Sequence, residues 1–187
     1  MTRTPTLRIA SGRWKRRPLE APPSARPTSA RARAALFDIL QERIPGARLL
    51  ELFAGSGAVG LEALSRGAAR AVFVEREAAA LRRNIERLGP DAANAEVVAA
   101  EAAGGISLLL SRAERFDIVF ADPPYGSGPL GDLALRAGSL LADGGVVVIQ
   151  SDAPAAIRVA SEELSLTERR AYGRNVFWFF ARKGAAQ

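Results

Sequence analysis

From residue 48 to residue 150 the chain alternates short apolar runs with helical stretches, and this alternation constrains its fold more than any other feature. The apolar runs predict strands over 49–53, 71–75, 95–99, 116–121 and 145–150, and the segments between them predict helices over 60–66, 78–88, 104–111 and 130–141. Such strands pair in parallel through right-handed crossovers, with helices on both faces. Segments 165–170 and 176–181 flank a turn sequence and predict a terminal antiparallel hairpin. The predicted fold is therefore α/β, a doubly wound sheet with a reversed edge strand.

The positive charge is concentrated at the N-terminal end. Residues 1–43 hold 10 Lys and Arg against 3 Asp and Glu, whereas the remainder holds 16 against 17. A GC-rich genome explains arginine in place of lysine, but not clustering at one end. The clustering favours contact with a polyanion such as nucleic acid, although basic runs are also common on solvated faces. Trp14, among Arg13, Lys15, Arg16 and Arg17, either stacks on a nucleotide or covers the core at the root of this segment.

Absent residue types narrow the chemistry. The chain has 0 His and 0 Cys, which excludes disulfides, zinc fingers, cysteine nucleophiles and Ser-His-Asp triads. No metal is expected. No apolar run approaches the roughly 20 residues of a membrane span, and the basic N-terminus lacks the apolar segment of a secretory signal. We expect a cytoplasmic protein with no membrane partner, and nothing demands more than a monomer.

We predict three segments along the chain. Residues 1–45 form a basic extension, with a short hairpin turning at Ser11-Gly12, a proline-rich linker over 20–27, and a helix from Thr28 or Ser29 to Gln41. Residues 46–183 form the α/β domain. Residues 184–187 are a frayed tail.

A glycine loop follows the first predicted strand. Gly55-Ser-Gly57-Ala-Val-Gly60 matches G-x-G-x-x-G, and Glu75 ends the next strand, where a carboxylate can accept from both ribose hydroxyls. This pair indicates an adenosine-containing cofactor and fits a dinucleotide dehydrogenase equally well. Glu51, inside the first strand, favours the positively charged S-adenosylmethionine over a pyrophosphate, unless it only orders the amides of the loop.

Asp122-Pro-Pro-Tyr125 directly follows the fourth predicted strand. The two prolines hold an extended turn, so that the Asp122 carboxylate and the Pro123 carbonyl present a fixed pair of acceptors. Two acceptors followed by an aromatic ring suit a planar base with an exocyclic amine. The amine nitrogen would then attack an activated methyl group, with no need for histidine.

These motifs resemble the bacterial 16S rRNA guanine-N2 methyltransferases, which are class I S-adenosylmethionine-dependent enzymes. The resemblance rests on residues 51–67, Val74-Glu75 and Asp122-Pro-Pro-Tyr125, together with Arg8-Ile-Ala-Ser-Gly-Arg-Trp14, Pro18-Leu19, Arg26-Pro-Thr28 and Leu36-Phe37. It covers nearly the whole chain and implies a Rossmann-like seven-stranded sheet. It also implies S-adenosylmethionine as the methyl donor and small-subunit rRNA, free or in an assembling subunit, as the partner.

The resemblance also implies site roles. The cofactor would be held by Glu51, Phe53, Gly55, Ser56, Gly57, Glu75 and Glu101. Asp122 and Pro123 would grip the amine, and Tyr125 would stack on an extruded base. Arg13, Trp14, Lys15, Arg16 and Arg17 of the basic extension would contact RNA, together with Arg26 and Thr28.

The chain departs from the family pattern at Ala30 and Ala34, where acidic residues are usual, and at Asp38, where Asn is common. Glu101 stands where Asp or Asn usually meets the adenine amine. The first three departures lie on the substrate side and bear on the target nucleotide more than on the chemistry.

Three other functions are weighed against this one. An adenine-N6 methyltransferase shares Asp122-Pro-Pro-Tyr125, but a DNA enzyme of that kind would need room for a target-recognition domain. A dinucleotide oxidoreductase leaves that motif unexplained. A non-enzymatic RNA-binding or ribosome-assembly factor would not need it.

Overall fold

The computed structural model describes residues 7–22, 30–124, 126, 129–152, 157, 159 and 161–184. In chain order the helices are α1 (Ala30–Leu40), α2 (Ala58–Ser65), α3 (Ala79–Leu88), α4 (Ala102–Ser111) and α5 (Leu130–Gly138), with a 3-10 turn at Gly89–Ala92. The strands are β1 (Arg48–Leu52), β2 (Arg70–Val74), β3 (Ala95–Val98), β4 (Phe116–Ala121), β5 (Leu141–Asp152), β6 (Leu164–Tyr172) and β7 (Asn175–Arg182).

All seven strands form one sheet in the order β3-β2-β1-β4-β5-β7-β6. The first five are parallel, and β7 runs antiparallel to both β5 and β6. The doubly wound sheet with its reversed terminal hairpin is thus confirmed. The order of strands reverses between β1 and β4, and ligands bind such sheets beyond the carboxyl ends of the strands at this point.

Two predicted boundaries are wrong for physical reasons. The fifth strand begins at Leu141 rather than at residue 145, because Leu141 already pairs with Phe116 across an irregularity in the β4–β5 register. Gly144, with φ of 72°, supplies a left-handed residue inside that irregularity. The helix predicted over 130–141 ends at Gly138, and the residues that follow open β5.

The core lies on both faces of the sheet because alternate strand residues point to opposite sides. On one face, Phe73, Phe120 and Phe177 pack with residues of α1, α2 and α3. On the other face, Val119 and Phe180 pack with residues of α4 and α5. The aromatic run at 177–180 is therefore part of the core. No helix in the described part of the chain is long and apolar enough to span a membrane.

The leader, residues 7–22, packs on α2. Its two arms pair in antiparallel fashion, as the predicted hairpin requires: a bridge joins Arg8 to Pro18, and the Ile9 amide donates to the Arg17 carbonyl at 3.0 Å. Ser65 on α2 anchors the turn: its hydroxyl donates to the Ser11 carbonyl at 2.6 Å and accepts from the Trp14 amide at 2.9 Å. Gly12 lies so close to the Ser65 backbone that any side chain there would clash. The hydrogen bonds to Ser65 thus dock this hairpin on α2.

Candidate cofactor and catalytic site

The candidate site lies where β1, β2 and β4 end. Leu52 of β1 is in register with Val74 of β2 and with Ala121 of β4. The residues that follow these three positions are Phe53, Glu75 and Asp122, so the topology brings them to one edge of the sheet. The predicted site residues of the glycine loop and the two acids after β2 and β4 therefore lie around the central strand.

The glycine loop between β1 and α2 is built on left-handed backbone. Gly55 and Gly57 have φ of 53° and 75°, and Phe53, which has a side chain, has φ of 56°. Such a φ is costly for a residue like Phe53 and is characteristic of functional loops. Among the described residues, a Cβ added to Gly55 would meet only Pro22 Cγ, at 3.9 Å. No other described residue thus crowds the backbone of the loop at Gly55.

Glu75 holds the loop in place. Its carboxylate accepts from the Gly55 amide at 2.7 Å through Oε2 and from the Glu77 amide at 2.8 Å through Oε1. Each oxygen of a carboxylate can accept more than one hydrogen bond. The half-buried Glu75 carboxylate therefore fixes the loop and retains capacity for ligand hydroxyls.

Glu51 lies beneath the loop with 4% of its surface exposed. Its Oε2 accepts from the Gly60 amide at 2.7 Å, and its Oε1 accepts a longer bond from Val59 at 3.4 Å, both at the start of α2. Burial, with a smaller contribution from the negative charge of Asp122, raises the pKa of Glu51 to about 8 against the opposing effect of these two bonds. Glu51 does order the amides of the loop, and it is also poised for a positively charged ligand that would draw off its proton.

Gly60 makes this contact possible. A Cβ at position 60 would clash with the Phe73 ring and lie 3.0 Å from Glu51 Oε2. The third glycine of the motif thus lets α2 approach the sheet closely enough for its amides to reach Glu51.

Asp122 follows β4, and its Oδ2 accepts from Gln150 Nε2 at 3.2 Å. Gln150 Nε2 also donates to Asn175 Oδ1, at 3.2 Å. Pro123 follows directly, as the motif requires, whereas Tyr125 falls outside the described residues. The structure therefore brings Asp122 and Pro123 to the same edge as the glycine loop.

Glu101 follows β3. It precedes α4, is exposed, and forms an ion pair with Arg76 at 2.9 Å. Its carboxylate is thus engaged by a surface arginine and not by the amides of the glycine loop. The assignment of Glu101 to the adenine amine stays a prediction.

The basic side chains of the leader are exposed to solvent, whereas the indole ring of Trp14 is buried. Arg13, Lys15, Arg16 and Arg17 are exposed, whereas Trp14 is 4% exposed and belongs to the core cluster. The Arg13 guanidinium lies 4.4 Å from the centre of the Trp14 ring. Of the two interpretations of Trp14, its burial agrees with the second, in which the ring covers the core. Arg26 and Thr28 lie outside the described residues.

Sequence reasoning missed two polar residues of this region. Gln150, 4% exposed, ends an apolar run, and Asn84, 1% exposed, occupies the apolar face of α3 between Leu81 and Leu88. Asn84 Nδ2 donates to the carbonyls of Ser56 and Glu20, both at 2.9 Å. A polar residue in an otherwise apolar pattern is the signal that could have found both.

No group of three or more acidic side chains in the described part of the chain is arranged to hold a metal ion.

This strand order, with a glycine loop after β1 and acids after β2 and β4, is that of a Rossmann-like methyltransferase. The family model described as conserved hypothetical protein 95 matches residues 7–181. The chain is 34% identical to ribosomal RNA small subunit methyltransferase D of Escherichia coli K12, over 97% of this chain and 92% of the relative. It is 35% identical to the protein of the same name from Haemophilus influenzae, over 73% of this chain and 71% of the relative.

Solved structures agree. The Escherichia coli protein yhhF, provisionally named a methyltransferase, superposes with a TM-score of 0.78 at 34% identity, covering 95% of this chain and 98% of that one. A hypothetical protein of Thermus thermophilus gives a TM-score of 0.78 at 37% identity, covering 92% and 97%. The chain belongs to the family of bacterial small-subunit ribosomal RNA methyltransferases, and the resemblance read from the sequence is confirmed.

Proposed function

We propose that this protein transfers a methyl group from S-adenosylmethionine to the exocyclic N2 amine of a guanine in small-subunit rRNA. The observation that carries the proposal is the Asp122 carboxylate, held by Gln150 at the edge of the sheet where the glycine loop lies. The relatives that share nearly the whole chain are named for methylation of the same RNA.

The cofactor site fits S-adenosylmethionine on two observations. In the described part of the chain, the position of a Cβ on Gly55 has no neighbour closer than Pro22 Cγ at 3.9 Å, which leaves room for a ligand against the backbone. Glu51 is a buried acid whose pKa is raised to about 8, so a cationic ligand stabilises its charged form. Glu51 would then face the methionine end, and Glu75 would accept from the ribose hydroxyls while holding Gly55. S-adenosylmethionine supplies an electrophilic methyl group when bound.

The residues after β4 would prepare the amine. The Asp122 carboxylate and the Pro123 carbonyl accept its two N–H groups. A nitrogen gripped on both sides is drawn out of conjugation with the ring, and its lone pair becomes available for attack. The amine nitrogen would take the methyl group as the bond from that carbon to the sulfonium sulfur breaks. The sulfur would keep the bonding pair, which leaves S-adenosylhomocysteine, and the surplus proton of the amine would pass to solvent. Tyr125 would stack on the base, which has to leave its helix to reach this edge.

The exposed cations of the leader would bind the phosphate backbone. Lys15, Arg16 and Arg17 lie on the segment that packs against α2, which is the helix that begins at the glycine loop. Phosphate contacts set the register and orientation of a nucleic acid without reading its sequence. We expect the protein to act as a cytoplasmic monomer on rRNA or on an assembling subunit.

The decisive experiment compares three acceptors in parallel with labelled S-adenosylmethionine: unmodified small-subunit particles, free small-subunit rRNA and duplex DNA. N2-methylguanine in a ribosomal sample is the expected product. Methylated adenine would favour the alternative, an adenine-N6 methyltransferase that uses the same Asp122 motif. Cofactor binding with no product on any of the three would favour a non-enzymatic role in assembly.

A further inference from the structure

Asp122 is anchored by a side chain from the neighbouring strand. Gln150 lies near the end of β5, which pairs with β4, and its Nε2 lies 3.2 Å from Asp122 Oδ2. An ionised carboxylate has no proton to donate, so the amide of Gln150 has to present Nε2 and not Oε1 to it. The chemistry of Asp122 therefore determines the orientation of Gln150.

The second hydrogen of Gln150 Nε2 is also used. It is directed to Asn175 Oδ1, at 3.2 Å. Asn175 is the first residue of β7 and pairs with Asp152, while Gln150 pairs with Phe177. The β5–β7 ladder thus holds Asn175 beside Gln150. The two bonds together fix the Gln150 side chain on both sides.

The other end of the same amide indicates why the residue is polar. Gln150 Oε1 is buried and has no hydrogen-bond partner in the described part of the chain. A buried carbonyl without a partner lowers stability, and an apolar side chain of similar length would remove that loss. Stability alone does not account for glutamine at this position, so its contacts through Nε2 are the ones that need explaining.

We infer that Gln150 is a positioning residue that holds the Asp122 carboxylate for the acceptor amine, and that Asn175 holds Gln150. The inference rests on the proposed function, because it assigns Asp122 the role of gripping the amine. Glu51 lies close enough that each acid feels the charge of the other. A donor on Asp122 therefore both orients its carboxylate and offsets that repulsion. Because Asn175 begins β7, the reversed hairpin of β6 and β7 then helps to position Asp122.

The first test is Gln150→Met, with Ser151→Ala as the matched control. Ser151 accepts from Trp178 Nε1 at 2.9 Å, so the control removes a side-chain bond between the same two strands, one residue further along. For Gln150→Met we expect kcat to fall about tenfold to a hundredfold, because small misplacement of a catalytic group has effects of that size. KM for RNA and Kd for S-adenosylmethionine should stay near the wild-type values. Tm should be equal to or higher than that of wild type. Ser151→Ala should retain wild-type kcat. Equal kcat for Gln150→Met and wild type would overturn the inference.

The second test is Gln150→Glu. If Gln150 had a purely structural role, the activity of this variant relative to wild type would not depend on pH. A protonated glutamic acid can still donate to Asp122, whereas an ionised one cannot and adds a second negative charge. Relative to wild type, kcat of this variant should therefore fall as the pH rises. A ratio to wild type that is constant with pH would contradict the inference.

A third readout does not depend on turnover. The side-chain amide signals of Gln150, assigned by their disappearance in Gln150→Met, should move in the ¹⁵N–¹H spectrum of Asp122→Ala and stay in place in Ser151→Ala. Unmoved signals would show that the contact is absent in solution. Failure of the proposed function is read differently, on the methylated base that the wild type produces, so the two failures are distinguishable.

Discussion

The two halves of the site edge hold their acids in different ways. On the side of β1 and β2, Glu51 and Glu75 accept from backbone amides of the glycine loop and its flanks. On the side of β4 and β5, Asp122 accepts from the side chain of Gln150, which is shared with Asn175. The first half is therefore a backbone cradle. The second is a chain of side chains that reaches back to the last strand.

The difference teaches where specificity for each ligand resides. Backbone amides keep their direction whatever the neighbouring side chains, which suits a cofactor site. A carboxylate held by side-chain amides can be moved by a single substitution, which suits an acceptor site that has to place one atom. We expect changes in the first half to affect cofactor affinity and changes in the second to affect turnover.

Asp122→Ala is the strongest test of whether the two halves of the site act independently. Removing the acceptor should lower methyl transfer by about a thousandfold or more, an effect typical of losing a group that acts on the reacting atoms. Cofactor affinity should remain within a few-fold of wild type, since the backbone cradle is untouched. Kinetics on small-subunit particles and calorimetry with S-adenosylmethionine check the two halves separately. Joint loss of transfer and cofactor binding would mean that Asp122 supports both halves.

Glu51→Gln tests the cradle. In the wild type the pKa of Glu51 is raised to about 8 by burial, above its usual value. The folded state therefore keeps a proton that the unfolded state releases, and the free energy of unfolding falls as the pH rises towards 8, by up to about 1.4 kcal/mol per pH unit. A cationic cofactor favours the ionised form, so its affinity should rise over the same interval. Gln does not titrate, so the variant should lose both slopes.

Cofactor affinity of Glu51→Gln should be about tenfold weaker than wild type above pH 8, since the variant has no charge there to pair with the cofactor. Denaturant melts and cofactor titrations between about pH 5 and about pH 9, an interval that spans the ordinary and the raised pKa of a glutamic acid, measure both effects. Parallel slopes in the two proteins would place the titrating group elsewhere.

The same contrast explains which contacts of the site could be predicted from the sequence. The contact between Glu51 and Gly60 spans nine residues, inside one strand–loop–helix unit that a local motif encodes. The contact between Gln150 and Asp122 spans 28 residues, and that between Gln150 and Asn175 spans 25. The latter exist only once β5 and β7 have paired, so no local pattern revealed them. The alternating strand and helix order predicted the sheet, because hydrophobic periodicity is local as well.

Trp14 shows a second limit of the sequence, which left two interpretations of this residue open. An aromatic residue among four cations has the composition of a nucleotide-binding segment, but composition does not say which way a ring points. The Ser65 hydroxyl holds the Trp14 amide at 2.9 Å and turns the indole into the core. That hydrogen bond spans 51 residues. The exposed cations of the leader remain the testable part of that prediction.

Replacing Lys15 and Arg17 with glutamine tests the RNA surface. Both are exposed, so removing their charge should weaken RNA binding about tenfold at low salt. The salt dependence of the affinity should also become shallower, by up to ~0.9 in slope for each phosphate that is no longer neutralised. The control is Arg115 and Arg136, two exposed arginines outside the leader, replaced in the same way. An equal effect of both pairs would indicate attraction to net charge alone.

The smallest expected effect tests whether the leader and the cradle act as one body. Asn84 joins them: its Nδ2 donates to the carbonyls of Glu20 and Ser56, and its Oδ1 accepts from the Glu20 amide at 2.8 Å. Asn84→Ala leaves these backbone groups without their partner, which should lower the free energy of unfolding by about 1–3 kcal/mol. Because one of them belongs to the glycine loop, cofactor affinity should also fall, by about threefold, while kcat at saturation stays near wild type.

Ser107→Ala is a matched control for Asn84→Ala, since the Ser107 hydroxyl donates to the Ala103 carbonyl at 3.0 Å on the exposed side of α4. It should change neither cofactor affinity nor kcat. A lower kcat in Asn84→Ala at saturating cofactor would show that a change in the backbone cradle also affects the position of Asp122. The two halves of the site would then not be independent. Unchanged cofactor affinity in a destabilised Asn84→Ala would confine this residue to docking the leader, and Glu51 and Glu75 would then hold the loop without it.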